Sequence, residues 1–254
     1  MESLTISLIA FACIFGGTLL GMFLRAVLPE HHLNDESKDV LKLGIGIIGT
    51  LAALVIGLLI ASAKGNFDAM SSGIIQLGSK IVLLDRVIAQ YGPETKEPRD
   101  LLRRQMASAI ERIWSNEGIV QTELKTFDPR VGLEVLQNKL RQLSPQNDTQ
   151  RSLQSRALQV SGEIAETRWL LYERLEESSL PMPFFVILVA WLVIIFFCFG
   201  LLSPRNATII VVLLVCVLSA AASLYLIQEL DRPFGGLIQI SSAPFRNALA
   251  NLGK

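Results

Sequence analysis

Residues 41–65 read LKLGIGIIGTLAALVIGLLIASAKG, an apolar stretch with no charged side chain between Lys42 and Lys64. A helix needs roughly 20 such residues to cross about 30 Å of hydrocarbon. Three further segments share this length and composition: Leu4 to Leu28, Pro183 to Leu202 and Ala207 to Ile227. None of the four has Asp, Glu, Lys or Arg in its central part. The sequence therefore predicts an all-α integral membrane protein with four transmembrane helices.

The four apolar segments stand in two pairs on either side of a long polar stretch. We predict transmembrane helices 1 and 2 with an acidic outer loop in residues 1–63, a helical bundle in 64–180, transmembrane helices 3 and 4 in 181–228, and a C-terminal segment in 229–254. Even numbers of crossings place both termini and the bundle in one compartment. Most Lys and Arg residues lie on that side, which favours a cytoplasmic bundle and cytoplasmic termini.

The second apolar segment continues into the polar stretch without a stop signal. Apolar residues then follow in alternating steps of three and four, which is a heptad seam: Phe67, Met70, Ile74, Leu77, Ile81, Leu84, Ile88 and Tyr91. We therefore predict one helix from Leu41 to Tyr91, roughly 75 Å long. Similar stripes follow Pro98, Asp128-Pro129 and Asp148. They predict an antiparallel bundle whose first and fourth helices extend transmembrane helices 2 and 3.

The C-terminal segment contains one more helix signal. Ser242 precedes Ala-Pro, and Phe245, Leu249 and Leu252 share one face of the helix that would follow. This pattern predicts a short amphipathic helix that lies either on the membrane surface or on the bundle.

Composition and motifs argue against several classes of protein. The 254 residues include 23 basic and 23 acidic side chains, so no excess of positive charge favours a nucleic acid partner. All three cysteines fall inside apolar segments, which argues against a disulfide framework or a zinc cluster. The adjacent His31 and His32 are better explained as part of a solvated loop than as a metal site. No nucleotide-binding loop or nucleophile elbow is present. We expect no enzyme, no cofactor and no metal.

Small side chains recur along the second transmembrane helix. Gly49, Ala53, Gly57, Ala61 and Gly65 are spaced by four residues. One interpretation is close packing against other helices of the same chain. The other is a pore lining, since small residues leave room at an axis. The candidate pore residues are Gly46, Gly49, Thr50, Ala53 and Gly57, with Ile56 or Ile60 as a hydrophobic constriction.

Charge within and beside the apolar segments refines the pore hypothesis. The absence of ionisable residues at mid-depth argues against a coupled transporter. Acidic residues flank the spans on both sides: Glu30, Asp35, Glu36 and Asp39 at the outer loop, and Glu229 and Asp231 after the fourth span. The acids after the fourth span have a second interpretation, because Asp231 and Arg232 suit either a local ion pair or a cap on the turn at Pro233. As pore mouths, these acids would favour cations slightly.

Several stretches resemble a bacterial family of membrane proteins described as bestrophin-like. They are KLGIGIIGTLAALVIGLLIASAKGNFD, VLLDRVIAQYGPE, LLRRQMASAIERIW, RALQVSGEIAETRWLLYE, LSPRNATIIVVLLVCVLS and LIQELDRPFGGLIQISSAPFRNAL. Together these stretches extend the resemblance over nearly the whole chain. Bestrophins are pentameric anion channels with two helices, a helical cytoplasmic region and two more helices. Their second helix lines the pore, and the resemblance implies the same arrangement here.

Two features of bestrophins do not carry over to this sequence. Pro233-Phe234-Gly235 falls where bestrophins have Asn-Pro-Phe-Gly, but the acidic run that binds calcium in those proteins is replaced by Gly236-Leu237-Ile238-Gln239. The aromatic neck is also missing, since Phe67 is the only Phe along the second helix. The resemblance therefore implies neither calcium binding nor anion selectivity.

The leading hypothesis is a homo-oligomeric ion channel of the bacterial inner membrane. We expect four or five copies in the lipid bilayer, with transmembrane helix 2 around the axis and inorganic ions, cations slightly favoured, as the permeating species. The alternative is a non-conducting scaffold or signal-coupling protein whose helical bundle binds a partner.

Overall fold

The computed structural model describes residues 2–29, 35–114, 131–177, 182–204 and 206–253. Within these ranges the regular elements are helices, and no strand is present. The α-helices are α1 (Glu2–Val27), α2 (Asp35–Tyr91), α3 (Lys96–Trp114), α4 (Val131–Arg141), α5 (Asp148–Glu177), α6 (Met182–Leu202), α7 (Ala207–Leu230) and α8 (Ala243–Asn251). Helices α1, α2, α6 and α7 are long and apolar enough to cross a membrane. The predicted all-α membrane fold is confirmed.

Helix α2 is one continuous helix of 57 residues, about 85 Å long at 1.5 Å per residue. It begins six residues before the predicted start, because Asp35 and Glu36 place negative charge on the positive end of the helix dipole. The helix ends at Tyr91, and Gly92 follows it with a φ of 141°, which favours glycine. The Thr95 hydroxyl, 2.6 Å from the Ile88 carbonyl oxygen, donates to one of the last carbonyls.

The chain forms two compact units, and the first comprises residues 1–65 and 180–231. We call it the membrane unit. Its core is built from apolar side chains that are fully or nearly fully buried: Ala10, Ile14, Ala52, Leu188, Val217 and Leu224. Helices α1 and α6 touch backbone to backbone, because a Cβ on Gly21 would collide with the Phe197 carbonyl oxygen and a Cβ on Gly200 with that of Thr18. At the end of this contact the Arg25 guanidinium donates to the Leu202 carbonyl.

The second unit, residues 66–179 and 232–254, is the bundle unit. The heptad seam of α2 forms its core, since Met70, Ile74, Leu77, Ile81, Leu84, Ile88 and Tyr91 are all buried. Helix α5 lies against α2, where Leu171 contacts Gly73 and the Lys80 ammonium is 3.0 Å from the Thr167 hydroxyl. The predicted Asp128-Pro129 cap and the junction between α5 and the third span fall outside the described residues.

A buried ion pair joins α2 to α3 and to the C-terminus. The Asp85 side chain is 1% exposed, and its two oxygens accept from Arg99 at 2.8 and 2.9 Å. The Gly253 backbone N–H, 3.1 Å away, donates to the same carboxylate. Several hydrogen bonds to the charged group offset the cost of its burial.

The C-terminal segment packs against the bundle. Phe245, Ala248 and Leu252, on α8 and directly after it, are buried in the core of the bundle unit. The Trp114 indole stands edge-on to Phe234 and Phe245, and its N–H is 2.8 Å from the Ile240 carbonyl oxygen. Of the two positions predicted for this amphipathic helix, the structure has the one on the bundle.

Candidate functional site: the exposed face of helix α2

Within the membrane unit, α2 presents three faces, and one of them is packed. Ala52 is buried, and the half-buried side chains around it contact the core formed by α1, α6 and α7: Ile45, Ile48, Val55 and Leu59. We call this the packed face. Only one small residue, Ala52, is buried on it between Leu41 and Leu59, so the stripe of small residues predicted from the sequence points elsewhere.

The second face is bulky and apolar. It consists of large side chains that are all exposed in the single chain: Leu43, Ile47, Leu51, Leu54 and Leu58. Acyl chains or another apolar helix can cover large aliphatic side chains of this kind. We call this the bulky face.

The third face is made of small residues, and we call it the small face. Its members recur at steps of three and four and are all exposed: Gly46, Thr50, Ala53, Gly57 and Ala61. A Cβ built on Gly46 or Gly57 would meet no atom within 4 Å, and the same is true of the half-buried Gly49 at its edge. The small face therefore does not serve packing within the described part of the chain.

Within the membrane unit, the described glycines that do serve packing lie on other helices. Gly17 and Gly21 of α1 and Gly200 of α6 each stand against the backbone or side chain of the facing helix. Sequence reasoning did not single these residues out, although Gly17 and Gly21 have the four-residue spacing that allows two helices to approach closely. The contrast shows that the small face of α2 has the same spacing without a partner among the described residues of its own chain.

Thr50 is the polar member of the small face. Its hydroxyl donates to the Gly46 carbonyl oxygen, at 2.8 Å, one turn earlier in the helix. This backbone bond uses the hydroxyl proton and leaves the oxygen as an acceptor on an exposed face. Thr50 can therefore offer an oxygen to a cation or to water more readily than it can donate to an anion.

The two constriction candidates have different surroundings. Ile56 is half-buried and packs against the core of the membrane unit, on the side of the packed face. Ile60 is also half-buried, and it lies one turn beyond Gly57 at the border of the small face. Of the two, Ile60 is closer to the residues predicted to line a pore.

The acids predicted at the outer mouth are largely balanced by lysines in the described part of the chain. Lys38 is 2.9 Å from Asp35, and Lys42 is 2.9 Å from Asp39. The hydrogen bond from Lys38 and its positive charge lower the pKa of the Asp35 carboxyl. Glu36 is exposed. Glu30 and the histidine pair lie outside the described residues.

The acids predicted at the inner mouth differ in exposure. Glu229 is only 4% exposed, and Tyr225, one turn earlier on α7, donates a hydrogen bond to it. Its neighbour Gln228 reaches the Ser7 hydroxyl of α1 at 3.4 Å. Asp231 is half-buried at the C-terminal end of α7. Of the two predicted inner mouth charges, Glu229 is thus covered by its own chain.

Among the residues that the structure describes, no group of three or more His, Cys, Asp or Glu side chains could hold a metal ion. Cys13, Cys198 and Cys216 are free thiols on α1, α6 and α7.

Comparison with known families agrees with this arrangement of helices. A family model described as the bestrophin-like domain matches residues 12–245. The chain belongs to the bestrophin-like family. The resemblance noted from its sequence stretches is therefore confirmed, while no curated protein matches the chain.

Solved structures of a bacterial bestrophin homologue from Klebsiella pneumoniae have the same fold. One variant of that homologue superposes with a TM-score of 0.70 at 13% identity, covering 99% of this chain and 97% of that one. A structure phased with zinc gives a TM-score of 0.64 at 15% identity, with 94% and 97% covered. A further variant gives 0.62 at 14% identity, with 97% and 99% covered. At these identities the likeness to solved structures establishes only the fold of this bestrophin-like chain.

Proposed function

We propose that this bestrophin-like protein is a homo-oligomeric ion channel whose pore is lined by the small face of α2. The observation that carries the proposal is the exposure of Gly46, Thr50, Ala53 and Gly57, with no atom within 4 Å of a Cβ built on either glycine. Small residues serve a membrane helix where another helix must approach its backbone closely, or where ions and water must pass along its surface. Within the described part of one chain nothing does so.

The three faces of α2 suit a ring of copies. The packed face holds the helix to its own chain, the bulky face suits contact with lipid or a neighbouring copy, and the small face is left for the axis. Glycines at the axis widen the pore, the Thr50 oxygen and backbone carbonyls supply polar contacts, and Ile60 is the preferred site for a hydrophobic constriction. Gly49 and Ile56, nearer the packed face, would contribute less.

Four or five copies, an inner-membrane location, and cytoplasmic termini and bundle complete the proposal. They rest on the family membership and on the distribution of Lys and Arg along the sequence. The cation preference that we propose is small, because Lys38 and Lys42 offset Asp35 and Asp39.

A scaffold role has weaker support. Its main argument is the heptad seam of α2, which a partner helix would cover. Those side chains are buried in the core of the bundle unit of a single chain, so they are already used. A partner would have to bind another surface.

Recording from the purified protein in planar bilayers under a potassium chloride gradient tests the proposal. The wild type should pass current, and its reversal potential reports the sign of the selectivity. Gly57→Leu should abolish or strongly reduce that current. Gly16→Leu is the matched control, because Gly16 is also exposed with no atom within 4 Å of a built Cβ, but lies on α1.

Two results would contradict the proposal, the first its pore helix and the second conduction itself. Equal, full-size currents from both variants would remove α2 from the pore. Silence from a folded, reconstituted wild type over a range of pH and calcium concentration would favour the scaffold.

A further inference from the structure

A loop of the bundle unit presents the most exposed large apolar side chain among the described residues. The apolar loop, residues 235–239, carries Leu237, which is 83% exposed, and Ile238, which is 36% exposed. Elsewhere in the bundle unit, the large aliphatic side chains that the structure describes reach at most 51%, at Ile75. Exposure near that of Leu237 otherwise occurs in the membrane unit, where Leu43 is 70% exposed.

The shape of the apolar loop is fixed by hydrogen bonds. The Ile240 N–H closes it by donating to the Pro233 carbonyl oxygen at 2.8 Å, and the Gln239 amide donates to the Gly236 carbonyl oxygen at 2.8 Å. Gly236 has a φ of 144°, which favours glycine. The indole N–H of Trp114, on α3 of the bundle unit, donates a hydrogen bond to the Ile240 carbonyl oxygen. The fold thus holds Leu237 outward, although its exposure to water is unfavourable.

The chain confines this loop to the neighbourhood of the bilayer. Leu237 is seven residues beyond Leu230, the last residue of the membrane-crossing helix α7. At about 3.5 Å per extended residue, the loop lies at most roughly 25 Å from the end of that helix.

The charge of the sequence segment that contains the loop suits an anionic surface. Residues 232–254 contain three basic side chains, Arg232, Arg246 and Lys254, and no acidic one. Basic residues next to an apolar tip are attracted to anionic lipid headgroups, and each contributes about 1 kcal/mol near such a surface. A second copy of this chain matches the basic segment less well, because its 23 basic and 23 acidic residues give it no net negative charge.

We propose that the apolar loop inserts Leu237 and Ile238 into the headgroup region of the leaflet on the C-terminal side, with anionic phospholipid as its partner. The loop then ties the bundle unit to the bilayer surface independently of the transmembrane helices. This inference requires the protein to span a membrane but not to conduct ions.

Fluorescence from a label on the loop tests the inference. In full-length protein with Cys13, Cys198 and Cys216 replaced by Ala, Leu237→Cys is labelled with the polarity-sensitive fluorophore NBD. The protein is reconstituted in phosphatidylglycerol nanodiscs with and without spin-labelled lipid. Leu83→Cys is the control, since Leu83 is 42% exposed and lies on α2 twenty residues, about 30 Å, beyond Ala63.

The expected result is a loss of NBD fluorescence at position 237 when spin-labelled lipid is present, with no loss at position 83. A blue-shifted emission maximum at position 237, relative to position 83, should accompany it. Equal, unquenched signals at both positions would overturn the inference. A blue-shifted signal at position 237 that spin-labelled lipid does not quench would also overturn it, in favour of contact between copies. Size-exclusion profiles matching the wild type establish that each variant is folded.

Discussion

The contrast between packed and open glycines yields a prediction with opposite signs. Gly21→Ala adds a Cβ that collides with the Phe197 carbonyl oxygen and lies 3.0 Å from the Leu201 nitrogen. Backbone atoms cannot rotate away, so α1 and α6 must separate, and overpacking of this kind costs about 1–3 kcal/mol. The change from Gly to Ala also improves helix propensity by about 1 kcal/mol. Because the clash is with backbone atoms, we expect an overpacking cost at the upper end of that range. Offset by the gain in helix propensity, it should lower the free energy of unfolding by about 2 kcal/mol.

Gly57→Ala should behave in the opposite way. No atom lies within 4 Å of the added Cβ, so only the propensity term remains, and the variant should be up to about 1 kcal/mol more stable than the wild type. Unfolding by SDS titration in detergent micelles, followed by tryptophan fluorescence, measures both variants under one condition. A loss of stability in Gly57→Ala as large as that in Gly21→Ala would show that the small face is packed in the assembled protein, and would refute an open axis there.

Two further predictions concern the bundle unit. Asp85→Ala leaves the Arg99 guanidinium without its buried partner and should lower the free energy of unfolding by about 3 kcal/mol. Asp148→Ala removes an exposed pair with Arg151 and should change that free energy by less than about 1 kcal/mol. Equal effects of the two variants in SDS titration would contradict this prediction. The Tyr91 hydroxyl is buried without a hydrogen-bond partner among the described residues, so Tyr91→Phe should cost little or stabilise the fold. Burial, and secondarily the charge of Glu94, raise the pKa of Tyr91. The wild type should therefore lose stability as the pH rises above about 10, and Tyr91→Phe should lose less. Parallel stability profiles of the two proteins above this pH would refute the raised pKa of Tyr91.

The membrane helices and the length of α2 could be predicted from the sequence because each depends on local composition and period. A run of apolar residues fixes a span, and an unbroken alternation of threes and fours from Phe67 to Tyr91 fixes a continuous helix. The start of α2 differs from the prediction only where end effects act, at Asp35 and Glu36.

The role of each glycine could not be predicted in this way. Gly17 and Gly21 on α1 have the same four-residue spacing of small side chains as Ala53 and Gly57 on α2. Which pair has a helix against it depends on how the spans are arranged in space, and spacing along the sequence does not contain that information. The same holds for Glu229, whose burial depends on packing between α7 and its neighbours.

The contact of Trp114 with residues after the last span has a consequence for biogenesis. The indole and the Ile240 carbonyl are 126 residues apart in the chain, and both α6 and α7 lie between them. A chain made from its N-terminus exposes α2 to α5 first, while Phe234, Phe245 and Leu252 emerge only after the final two membrane helices. The core of the bundle is therefore closed last, and a chain that fails to insert α6 and α7 correctly would leave Trp114 and its surroundings open to chaperones and proteases.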